Sequence, residues 1–150
     1  MEPSKTHLAP GVLAVFLALA GVLSSTATPI ISEFLADNES GLRDEDGDWE
    51  DWLELYNPDS EPADLGGHFL TDNPDNLTKW RIPDGTSLQP RGFLVIFASG
   101  KDRAIPGQQL HTSFGLDNSG EYLALVSPDG VSILHDFTPA YPAQFNDASF

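Results

Sequence analysis

The chain contains no cysteine. That excludes a disulfide framework and any thiolate metal site. Basic residues are scarce too: seven Lys and Arg stand against 23 Asp and Glu, for a net charge of −16. No run of bases could neutralise a row of phosphates, and the charge opposes binding to nucleic acid or to an anionic membrane surface. Past Pro29 there is no sustained apolar repeat at helical spacing, which argues against a helical bundle. It also argues against βαβ units, whose crossovers need about a dozen residues or more, usually helical. The GxSxG nucleophile elbow, the P-loop and the dinucleotide-binding GxGxxG are missing as well. His7, His68, His111 and His135 are far apart and show no HxH or HExxH spacing, so structural or surface roles are expected for them.

What is present begins with an address. Lys5 and His7 precede an apolar stretch, Leu8–Leu23, followed by Ser25 and Ala27 as small residues at the −3 and −1 positions of a cleavage site. Sixteen residues fall short of the roughly 20 that a membrane span needs. Residues 1–28 are therefore expected to be a signal peptide, helical before its removal, with the mature protein secreted or held at the cell surface and not in the membrane. The remaining chain is long enough for one domain with its own core.

That domain reads as all-β. Short runs rich in apolar, aromatic and β-branched residues occupy 30–36, 52–57, 68–72, 78–82, 93–99, 122–127 and 131–137. In "WLELYN" Leu53 and Leu55 alternate with Trp52, Glu54 and Tyr56, the mark of a strand with one buried face. "PDG" between the last two runs predicts a hairpin. "FLVIFAS", Phe93–Ser99, is apolar on both faces and is expected to be the most buried strand. About seven strands separated by turns predict a β-sandwich or barrel. Residues 139–150, rich in Pro and aromatics, are expected to be extended and to break off from a longer protein.

The acid is uneven. From Glu33 to Asp64 there are thirteen Asp and Glu and one base, Arg43. Asp44, Asp46 and Asp48 alternate around Gly47, with Asp51 close behind, and such an oxygen-rich loop suits a calcium ion. The EF-hand pattern fails: counted from Asp44, position 6 is Trp49 where Gly is needed, and position 12 is Leu55 where Glu is needed. Two readings stand: a calcium site made by Asp44, Asp46, Asp48 and Asp51, or a solvated connection between strands, which the sequence favours. A glycosidase carboxylate pair is disfavoured, because a crowded loop defines no substrate slot. Trp49 lies in this polar loop with no alternation to bury it, which makes it a candidate ligand contact. Trp52 and Trp80 sit in strands, where packing explains them. "GKDR", Gly100–Arg103, is the main basic cluster and could form salt bridges with the acidic loop. Asn38 and Asn76 begin formal glycosylation sequons.

Taken in order, "ISEFLADNES", "DEDGDWEDWLELYNP", "ADLGGHFLTDN", "TKWRIPDGTSLQPRGFLVIFASGKDR" and "LHTSFGLDNSGEYLALVSPDG" resemble the lamin-tail domain, specifically its bacterial secreted branch. The resemblance covers about residues 30–138; no single motif decides it, but their order and spacing do. It implies an immunoglobulin-like β-sandwich over residues 29–138 and a non-catalytic module. Its implied partners are other domains of a longer parent chain, a protein or a cell-surface polymer. Alternatives are the accessory domain of a secreted enzyme (a CotH-kinase-like protein, nuclease or phosphoesterase) and a calcium-dependent carbohydrate-binding module. No cofactor other than that calcium is implied. One departure is His68, where the family has Trp after Gly; local packing there is expected to differ.

Overall fold

A computed structural model describes residues 28–150. The expected signal segment lies almost wholly outside the described residues. Ten strands follow one another: β1 (Ile30–Leu35), β2 (Trp52–Tyr56), β3 (Ala63–Asp64), β4 (Phe69–Thr71), β5 (Trp80–Arg81), β6 (Ser87–Leu88), β7 (Phe93–Phe97), β8 (Leu110–His111), β9 (Leu123–Val126) and β10 (Ile133–Phe137). No described helix is long and apolar enough to cross a membrane. Two four-stranded sheets, β1-β2-β7-β8 and β10-β9-β4-β5, form the sandwich, with β3-β6 as a small third ladder.

The alternation read in "WLELYN" sets the core side of the first sheet. Leu53 and Leu55 pair with Ile96 and Leu94 on β7 and with Phe34 and Ile31 on β1. Phe34, Leu53, Leu55 and Ile96 are wholly buried against Leu70, Trp80, Leu123 and Leu125 of the second sheet. Each such side chain contributes about 1.5–3 kcal/mol of burial. The expected hairpin is present: β9 and β10 are antiparallel, and Gly130 takes a φ of 72° in their turn. Asp129 locks that turn by accepting from the Val131 and Ser132 amides.

Burial on both faces along the whole strand belongs to β9; in the Phe93–Ser99 run it is confined to Ile96, Phe97 and Ala98. All four β9 residues are buried: Leu123 and Leu125 in the main core, Ala124 and Val126 in a second cluster with Tyr122, covered by Phe69 and Leu77. In β7 only the Leu94 and Ile96 side meets the core. Phe93 is 59% exposed, and Val95 is only partly buried. Apolar composition says that both faces tolerate burial; it does not say that a second layer exists to cover both.

β7 and β8 run parallel, with Ile96 opposite Leu110 and Phe97 opposite His111. The chain must therefore swing out through residues 98–109 before it returns in the same direction, and this excursion carries Gly100–Arg103 towards the acidic loop. Ala98 N–H donates to Asp51 O at 2.7 Å and ties the two segments together. His68 keeps the backbone pairing of its turn, donating to Leu65 O and accepting from Ile82 N–H, while its buried Nδ1 has no hydrogen-bond partner.

Residues 139–150 lie on the sandwich and are not extended throughout: a turn at 145–148 pairs Phe145 with Ala148. Tyr141 is 2% exposed within the main core. At the chain's last residue, Phe150 and Phe34 exchange backbone hydrogen bonds of 2.9 and 3.2 Å along the edge of β1.

Candidate functional site

The loop before β2 folds around Asp44. Its Oδ1 accepts from the amides of Asp46 (3.0 Å) and Asp48 (2.9 Å), while its backbone carbonyl accepts from Gly47 N–H. Gly47 has a φ of 85°, which L side chains rarely adopt, so glycine sets the bend. Arg43 and Trp49 bridge across its base, and the Arg43 guanidinium lies 3.8 Å from the Trp49 ring centroid. Trp49 is 46% exposed, as its place in a polar loop implied, but one indole face is taken by Arg43.

Three of the four carboxylates proposed for calcium converge, and they converge on Lys101. Its Nζ donates to Asp44 Oδ2, to Asp48 Oδ2 at 2.8 Å and to Asp46 Oδ2 at 3.0 Å, with Glu50 Oε1 at 3.3 Å. Burial alone would raise the Asp44 pKa, but the Lys101 hydrogen bond and two amides outweigh it and hold the carboxyl below its ordinary range. Asp46 is drawn down to about 2 by hydrogen bonds from Arg103 and Lys101. Lys101 itself is raised: desolvation would lower it, and the four carboxylates more than reverse that. The ammonium sits at the focus where a hard cation would sit.

Asp51 does not join them. It turns away to accept from the Asn38 amide at 3.2 Å. There it lines an open depression of about 520 Å³ with Asp37, Asn38, Asp117, Asn118 and Glu121. Partial burial, with Asp37 and Glu50 nearby, pushes its pKa up to about 6.

A second chain of contacts runs from Arg103. Its guanidinium meets Asp46 Oδ2 at 2.7 Å and Glu45 Oε1 at 2.8 Å. Glu45 Oε2 lies 2.9 Å from His111 Nε2, and Ser99 Oγ lies 2.9 Å from His111 Nδ1. If Ser99 donates to Nδ1, the Nε2–H tautomer donates to Glu45 and both bonds are satisfied. Serine, histidine and carboxylate are the components of a nucleophile relay, but here the histidine that would link them is inaccessible. His111 is wholly buried, its ring stacked on Phe97 at 5.2 Å. The depressions at 36–38 with 115–121 and at 85–87 with 107–110 both leave Ser99 out.

The salt bridges expected between "GKDR" and the acidic loop are thus made by Lys101 and Arg103. Sequence reasoning missed Glu50, Glu45, Ser99 and His111. One signal was available for the first: Lys101 and Arg103 repeat the two-residue spacing of Asp44, Asp46, Asp48 and Glu50.

Sandwich, acidic loop and hairpin turn all fall within residues 23–138, which match the family model of the Lamin Tail Domain. The chain belongs to the lamin tail domain family. This is an immunoglobulin-like, non-enzymatic family of domains, in agreement with the sandwich built above. No curated protein matches the chain. The family match stops at 138, whereas packing in this lamin tail domain continues through Tyr141 to Phe150.

Proposed function

We propose that this lamin tail domain is a non-catalytic module of an exported protein. Its work is attachment: to another domain of a longer parent chain, to a partner protein or to a polymer of the cell surface. The observation that carries this reading is that, around the acidic loop, the basic, acidic and nucleophilic side chains are spent on one another. Lys101 answers four carboxylates, and Ser99, His111, Glu45 and Arg103 are linked in a chain, with His111 wholly buried, outside the depressions at 36–38 with 115–121 and at 85–87 with 107–110. Such a network stiffens loops at one end of a sandwich without shaping a substrate slot. The leader expected over residues 1–28 supports export.

The test is expression in the producing cell, followed by intact-mass measurement and fractionation. The exported chain should begin near Thr28 and stay with washed envelopes or in a complex. A chain that keeps Met1 in the membrane fraction would overturn export. Mature protein recovered wholly free would overturn attachment, and turnover of ester or phosphodiester substrates by the pure domain would overturn the non-catalytic reading.

A further inference from the structure

The outer side of the first sheet is partly bare. Register places Ile30, Tyr56 and Phe93 in one row and Glu33, Glu54 and Val95 in the next. The alternate residues Ile31, Phe34, Leu53, Leu55 and Ile96 enter the core, so these two rows face away from it. A third row, Leu35, Trp52 and Phe97, is covered: Leu35 and Phe97 are buried, and Phe97 stacks on His111 of the ion-pair network. In the first two rows Ile30, Tyr56, Glu33, Glu54 and Val95 are only partly buried among the described residues, and Phe93 is 59% exposed. β1, β2 and β7 contain no Lys or Arg. The hydrogen-bond partners of Glu33 and Glu54 are hydroxyls, Ser149 and Ser32, and neither carboxylate meets a basic side chain among the described residues.

We propose that this open part of the sheet is a docking surface for a basic segment of a partner protein, in which Lys or Arg alternates with apolar residues. The proposal rests on the attachment reading and names its surface and partner chemistry. Charge complementarity selects the occupant: two carboxylates without a counter-cation flank an aromatic ridge, on a molecule of net charge −16. An extended segment lying edge-on across β1, β2 and β7 turns alternate residues to opposite sides, each side repeating about every 6.6 Å, so that its apolar residues face one row and its bases the other. Its apolar side chains would lie on Ile30, Tyr56 and Phe93. Its bases would reach Glu33 and Glu54 while their methylene stems cover the ridge. A polysaccharide fits less well. Tyr56 and Phe93 stack on each other, with centroids 4.6 Å apart and planes 23° apart, so each spends a ring face on the other. A sugar would meet a ridge and not a flat platform.

The experiment is calorimetric titration of the full chain, in physiological salt, with a synthetic octapeptide of alternating Lys and Val. The comparison ligands are the Glu–Val octapeptide and cellohexaose. The Lys–Val peptide should bind and the Glu–Val peptide should not. Phe93→Ser should weaken binding about tenfold or more, as loss of an aromatic anchor does, and Glu54→Gln should weaken it about threefold. Asp75→Asn removes an exposed carboxylate outside the ion pairs and should change binding less than about twofold. Because Phe93 is exposed, its variant should melt with the parent protein. Unchanged binding in Phe93→Ser overturns the proposal, as does an Asp75→Asn effect equal to that of Glu54→Gln, which would mark unspecific charge attraction. Binding of cellohexaose in place of the peptide would overturn it and give the surface to a polysaccharide. If Phe93→Ser stays on envelopes as the parent does, this surface fails while attachment stands; if the parent is not retained, attachment itself fails.

Discussion

At the scale of residues, Lys101 decides the chemistry of the acidic loop. Asp44 has a wholly buried side chain, and its charge is tolerable because Lys101 and two amides meet it. Lys101→Gln should cost about 3 kcal/mol, since it leaves a buried carboxylate without its counter-charge. The same substitution vacates the focus of Asp44, Asp46, Asp48 and Glu50. The parent protein should melt at one temperature in millimolar calcium and in chelator, because an ion must first displace a tethered ammonium. The Lys101→Gln variant should gain about 2.7 kcal/mol from calcium at a hundredfold excess over Kd. A parent midpoint several degrees higher in calcium would show that the ion competes with Lys101.

Asp51, set apart from that focus, has the opposite electrostatic character. Its pKa rises from 3.8 to about 6 on folding. Between those values the native state binds more protons than the unfolded chain, so stability falls as pH rises through the window and is regained on acidification. Asp46 runs the other way: held at about 2, it contributes stability that is lost as pH falls from 3.8 towards that value. The midpoint of the parent relative to Asp51→Asn should therefore rise from pH 7 to pH 5 and level off near pH 4. Melting curves of both proteins across that range check it; a constant difference would show that Asp51 titrates normally.

At the scale of elements, β7 and β9 look alike in composition and differ in cover. Val95→Asp places a carboxylate on the outer side of β7 beside Glu54, where water reaches it, and the variant should fold. Leu125→Asp places one in the closed core and should not, because an unpaired buried charge costs several kcal/mol, comparable with the whole stability of a domain. Circular dichroism and denaturant titration of the two variants distinguish them. The longer strands were legible from alternation, as in Leu53 and Leu55 against Trp52, Glu54 and Tyr56. β3, β6 and β8 were not, because two residues carry no period and, unlike β5 with Trp80 and Ile82 in the run 78–82, they lie outside the apolar runs. The parallel pairing of β7 with β8 was hidden for a related reason: it depends on where the 98–109 excursion ends, and no local pattern encodes that.

At the scale of the whole molecule, the unit that packs is longer than the family match. Tyr141 stands against Phe34 with ring centroids 4.6 Å apart, and its hydroxyl donates to Asp117 O at 3.0 Å. Asp147 accepts from the amides of Glu39 and Ser40, and Phe150 pairs with β1. A chain ended at Thr138 should lose about 3 kcal/mol or more, as expected for removing a buried aromatic. Tyr141→Phe, which keeps the ring, should lose about 1 kcal/mol. Urea unfolding of the three proteins measures this; equal midpoints for the parent and the chain ended at Thr138 would show that the segment only lies on the surface.

The amino-acid sequence alone determined the all-β class, the sandwich, the β9–β10 hairpin and the family, because each rests on local alternation, on turn chemistry or on the order of motifs. It also placed the carboxylates together in one loop. Their partner was settled by tertiary structure. Lys101 stands 57 positions from Asp44, and His111 stands 66 from Glu45. What brings them together is the return of β8 alongside β7. The same holds for β7 itself: an apolar strand carries the capacity for two buried faces, and only the layers packed around it decide how many are covered.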